Sequence, residues 1–141
     1  MASIVLPDKK AVQAHLPICF RARYGHLISI IDCFEIEIEK PSDPVSQALT
    51  WSDYYNCNTL KYLVSCTPDG LVNFISEGFW GRASDVLIVE NSGFLNNLVT
   101  GNTVMADRGF ISISYLLQQK NCNLVRTPSG KCLYERCLFV F

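Results

Sequence analysis

The sequence is short of charge, with only 18% Asp, Glu, Lys and Arg among 141 residues, and neither sign dominates: 12 basic side chains face 13 acidic ones. A formal charge of -1 excludes the broad basic surface that accompanies tight, sequence-independent nucleic-acid binding. Long apolar runs are missing as well. None approaches the roughly 20 residues needed to span a bilayer, so no membrane partner is expected. The seven cysteines include no C-x-x-C pair, which removes the usual zinc knuckle and redox motif, and they read as reduced and mostly buried. There is no glycine-rich phosphate loop, nucleophile elbow, dinucleotide fingerprint, repeat or low-complexity tract. The first ten residues carry their charges on the wrong side for a secretory signal, so the expected compartment is nucleus or cytoplasm.

What remains is 49% apolar composition, ordinary for a folded core, in a length that suits one domain over residues 1–141. Asp8 to Leu16 has the pattern of a short amphipathic helix, capped by Asp8 and stopped by Pro17. His26 to Ile31 is a compact, β-branched run that reads as a strand buried on both faces and ending at Asp32–Cys33. From Phe34 to Lys40 apolar Phe34, Ile36 and Ile38 alternate with Glu35, Glu37 and Glu39, which predicts that the strand continues with one face in water and a solvated row of glutamates. Val45 to Asn58 has no clean period and reads as an irregular connection.

Thr59–Cys66 and Leu71–Glu77 read as a hairpin around Thr67-Pro68-Asp69-Gly70. Ser84 can cap a helix running to about Ser92, with Asp85 in its first turn. Thr103–Ala106 is a second short buried strand, delivering Asp107 at its end. A helix over Ile111–Lys120, with Tyr115, Leu116 and Leu117 partly buried, and a strand over Leu124–Arg126 follow.

Two acids, Asp32 and Asp107, thus each follow a short apolar strand. If those strands are neighbours, the carboxylates converge at one mouth, where a divalent cation relieves their repulsion and can serve phosphodiester chemistry. From spacing alone, the role of ending a strand or opening a turn outranks this, because Asp is common there.

Several blocks in fixed order change that ranking. Trp51-Ser52-Asp53-Tyr54-Tyr55, Asn58-Thr59-Leu60-Lys61-Tyr62-Leu63, Pro68-Asp69-Gly70, Phe74-Ile75-Ser76-Glu77, Gly81-Arg82-Ala83-Ser84-Asp85 and Val104-Met105-Ala106-Asp107-Arg108-Gly109-Phe110 resemble the DDE superfamily endonuclease domain of transposases and genes derived from them. The likeness is strongest over residues 16–128, and the tail 129–141 diverges. It implies an α/β, ribonuclease-H-like mixed sheet with flanking helices. It further implies DNA as partner, Mg²⁺ or Mn²⁺ as cofactor, and Asp32 and Asp107 as catalytic, metal-ligating acids.

Ser84 and Asp85 read as capping and positioning residues. Lys61 reads as a solvated strand lysine that could approach phosphate, and Arg108 as a better phosphate ligand through its fork. His15 and His26 match no functional position, and Trp51, Trp80 and the tyrosines read as core or rim packing ahead of base stacking.

Two departures from the family stand out. Cys33-Phe34-Glu35 replaces a small polar residue near the first acid, and Asp53-Tyr54-Tyr55-Asn56-Cys57 replaces a more basic stretch. The family's third acid lies on a helix well beyond Asp107, and Glu135, the one acidic residue after Asp107, lacks matching neighbours. The expectation is therefore a sheet incomplete at the C-terminus in a truncated domain, with metal binding and weak or no DNA cleavage. The alternative is a non-catalytic interaction or DNA-binding module, with the apolar Leu138-Phe139-Val140-Phe141 available to a protein partner or a second copy.

Overall fold

A computed structural model describes residues 7–127, so Glu135 and the apolar tail lie outside the described residues. The centre of the fold is β1, Leu27–Glu37. On one side it pairs antiparallel with β3, Cys57–Cys66, from Ile30↔Cys66 to Glu37↔Thr59. On the other it pairs parallel with β6, Thr103–Ala106, ending at Ile31↔Ala106. Beyond β6 lies β7, Asn123–Arg126, also parallel. The outer edge of β3 takes β4, Val72–Ile75, and β5, Phe79–Trp80, while β2, Trp51–Ser52, pairs with its first residues. The path β4-β3-β1-β6-β7, with β3 alone running against the others, is the ribonuclease-H-like order implied by the resemblance.

Helices cover both faces, which explains why β1 opens with a run that is apolar but for the buried Ser29. Alternate side chains go to opposite cores. Ile31, Leu63, Val104 and Ala106 pack against Ile88 and Val89 of α4, Asp85–Asn91, and Leu116 and Leu117 of α5, Ser114–Gln119. Ile30, Leu27, Cys66 and Met105 pack against Leu16 and against Phe20 of α2, Ile18–Tyr24. Between the faces, Ser29 and Ser65 share a buried hydroxyl–hydroxyl hydrogen bond, satisfying both polar atoms. No helix of the described residues is long and apolar enough to cross a membrane.

Several expectations need correction. α1 is shorter than predicted, Lys9–Ala14, and Asp8 stands at its N-cap without a side-chain cap bond. The helix ends at Ala14 with His15 as its C-cap, ahead of Pro17, which instead occupies the N-cap of α2. The connection after Val45 is instead α3, Pro44–Thr50. Its start is ordinary: the Asp43 carboxylate accepts from Ser46 N, and Pro44 has the φ that a first helical residue needs. β1 runs through Asp32 to Glu37 along β3, the continuation that the alternation after Phe34 predicts, so Asp32 lies within the strand and not at its end. Ile111–Lys120 is a 3₁₀ turn over Arg108–Ile113 followed by α5, and Tyr115 is largely exposed.

The strand alternation over Phe34–Lys40 is inverted at its centre. Ile36 is 50% exposed, whereas the Glu35 side chain is only 12% exposed. The hairpin about Gly70, the Ser84-capped helix and the strand at Thr103–Ala106 follow the sequence reading closely.

Candidate functional site

The last parallel rung between β1 and β6 is Ile31↔Ala106. The next residue on each chain is an aspartate, Asp32 and Asp107, so adjacent strands about 4.8 Å apart deliver the two acids side by side. They leave the ladder differently. Asp32 stays on β1 opposite Val64, half-buried, with its Oδ1 accepting from Cys33 N at 2.8 Å. Asp107 becomes the residue before the Arg108–Ile113 turn, exposed, with its Oδ1 accepting from Thr127 Oγ1 at 3.3 Å. Both line a cavity of about 240 Å³.

A second group shares that cavity. Glu35 sits directly across from Lys61 in the antiparallel β1–β3 register, so their side chains stand on one face. Lys61 Nζ lies 3.5 Å from Glu35 Oε1 and 3.5 Å from Asp85 Oδ1, and donates to the carbonyl of Ala83 at 3.1 Å. Thr59 Oγ1 donates to the other Glu35 oxygen at 2.6 Å. Burial makes this arrangement matter, since the Lys61 side chain is only 16% exposed. A charge so sheltered needs its partners. Lys61 is therefore an internal counter-ion and not a solvated strand lysine. The expected solvated glutamate row fails at Glu35 for the same reason.

The segment Gly81–Asp85 is what carries Asp85 to Lys61. Gly81 N donates to Thr59 O at 3.0 Å, and a Cβ at Gly81 would fall 2.8 Å from the Thr50 carbonyl oxygen and collide with Thr59 Oγ1. Only glycine lets the segment lie so close to β3. Ser84 then caps α4 by accepting from Leu87 N at 3.2 Å, fixing Asp85 in the first turn.

Cys33, on the same face as Glu35, is half-buried. Burial pushes its thiol well above the usual range, and the nearby Asp85 and Asp32 carboxylates push it further, so it stays protonated and neutral in this acidic mouth. Four carboxylates and one ammonium are the charged groups lining the cavity.

The remaining sequence candidates fall elsewhere or at the rim. Arg108 is exposed beside Asp107. His15 is exposed, its Nδ1 3.0 Å from Ala11 O in its own helix, and His26 is exposed ahead of β1. Trp51 and Trp80 are 39% and 45% exposed, so neither is core. No three His, Cys, Asp or Glu among the described residues converge in a group that could hold a metal.

The sequence reading passed over the Glu35–Lys61–Asp85 linkage, and it ranked the tyrosines as core or rim packing without placing Tyr54 and Tyr55 at this cavity. The signal for the first was available in principle: an acid in one strand and a base in the next, each out of step with its apolar neighbours. Without the register, nothing said that they face each other.

The family model for DDE superfamily endonuclease matches residues 31–136, a span that holds Asp32, Glu35, Lys61, Asp85 and Asp107. No curated protein and no solved structure matches the chain.

Proposed function

The chain belongs to the DDE superfamily endonuclease family, and from that premise we propose that it acts as one endonuclease-like domain on DNA, with Asp32 and Asp107 as the ligands of a Mg²⁺ or Mn²⁺ ion. The observation that carries the reading is the rung Ile31↔Ala106, after which both chains continue with an aspartate. The donor set suits the ion. Mg²⁺ prefers hard oxygen ligands, keeps several waters and commonly takes only one or two carboxylates from the protein. Two neighbouring carboxylates repel each other until a cation sits between them. When bound, such an ion activates water and shields the charge of a phosphodiester in transfer.

The other residues of the cavity divide the work. Lys61 bridges Glu35 and Asp85, offsetting half of their charge, and with Thr59 holds the Glu35 carboxylate in place. Those two acids are thereby engaged by an ammonium and are poor substitutes for a third metal ligand. The proposal is accordingly metal binding with little turnover, since the described residues bring together no group of three metal-ligating side chains and phosphodiester transfer commonly relies on two placed metals.

Isothermal titration of Mn²⁺ into the wild-type chain, Asp32→Ala and Asp107→Ala provides the test. Binding by the wild type that disappears in each variant is expected. A wild type that takes up no Mn²⁺, or variants that bind as well as it does, would sink the assignment.

A further inference from the structure

The cavity has a rim that neither Asp32 and Asp107 nor the Glu35–Lys61–Asp85 linkage uses. Trp51↔Asn58 and Ser52↔Cys57 pair to form a β2–β3 hairpin whose tip carries Tyr54 and Tyr55. The tip is tightly built. Asn56 N donates to Ser52 O at 2.8 Å with Asn56 at φ 54°, Ser52 Oγ accepts from Tyr55 N at 3.5 Å, and Trp51 Nε1 donates to Asp53 Oδ1 at 3.1 Å. Yet the two rings that it presents are 83% and 55% exposed. They meet edge to face, 4.8 Å between centroids and 81° between planes, so neither stacks on the other. Both line the cavity of Asp32 and Asp107.

The electrostatics of that cavity make aromatic faces useful. Its charged lining is four carboxylates against one ammonium, which repels a phosphate that arrives without metal. Stacking on an aromatic ring does not depend on that charge and tolerates any base, because every base has a π-face. In continuous duplex the bases already stack on one another and their faces are unavailable.

Resting on the endonuclease reading above, we infer that Tyr54 and Tyr55 form a stacking platform for an unpaired base next to the phosphodiester at Asp32 and Asp107. The preferred substrate is then DNA that is single-stranded or unstacked at the reacting position.

Fluorescence anisotropy with a labelled single-stranded oligonucleotide and with a blunt duplex of the same sequence, both in Ca²⁺, tests this. The variants are Tyr54→Ala/Tyr55→Ala and Tyr54→Phe/Tyr55→Phe, each also titrated with Mn²⁺. The wild type is expected to favour the single strand, and the alanine pair to weaken that binding roughly 10- to 100-fold. The phenylalanine pair should keep the preference, and Mn²⁺ affinity should be unchanged throughout. An alanine pair that binds the single strand as the wild type does overturns the platform, as does equal affinity for duplex. The Mn²⁺ titration of the wild type reports on the metal assignment by itself, so the two ideas fail separately.

Discussion

The two halves of β1 obey different physics. From Leu27 to Ile31 no residue is more than 5% exposed, helices lie over both faces, and β6 runs alongside. From Asp32 to Glu37 the parallel partner is gone and the strand is paired only with β3, half-covered. In the first half, hydrophobicity decides which way each side chain points. In the second, Glu35 turns inward to Lys61 and Ile36 outward to solvent, so an ion-pair network overrides the apolar pattern. The site begins where the double cover ends, because that is the one stretch of the central strand that can be both positioned by the sheet and reached from outside.

The largest effect should come from the covered half. Ile31→Ala, fully buried, is expected to cost about 4 kcal/mol in chemical denaturation, against about 0.5 kcal/mol or less for Ile36→Ala. Similar losses at the two positions would break the comparison.

Next comes the network. Lys61→Met should cost about 3 kcal/mol by stranding the sheltered Glu35 carboxylate, and adding Glu35→Gln should recover part of it, since the damage is an uncompensated charge. A single variant as stable as wild type would mean that the second half is held by backbone pairing alone.

The smallest effect lies just past the strand. Hydrogen bonds from Ser46 N and Oγ hold the Asp43 carboxyl below its usual value. The carboxylate form is thus favoured in the fold, and its contribution is present above the usual carboxylate range and fades as pH falls through the lowered value. The Ser46 amide resonance should titrate in that acidic window, and should lose the transition in Asp43→Asn.

These contrasts also mark what was legible in the sequence. Ile28–Ile31 and Thr103–Ala106 were readable because doubly covered strands are mostly apolar. Ser84 was readable because a cap is a local interaction. Asp107 stood out through its family block and Asp32 as the acid after an apolar strand, while their adjacency depends on the parallel pairing of β1 with β6. Glu35 and Lys61 were not readable, since cross-strand register sets their meeting and a glutamate between Phe34 and Ile36 looks solvated in one dimension. α3 was missed because Asp43-Pro44 serves equally as a breaker and as a helix start. Tyr54 and Tyr55 gave no signal of exposure, as aromatics near strands usually fill cores.

The parallel rung between β1 and β6 has a bearing on assembly in time. The antiparallel β1–β3 and β3–β4 pairings join segments close along the chain, whereas β6 must return from beyond α4 to lie beside β1. Contacts between distant segments carry the larger loop-closure cost and tend to form late. Asp32 is therefore made early and Asp107 reaches it last, so a cation that bridges them binds the finished fold alone and draws the folding equilibrium toward it.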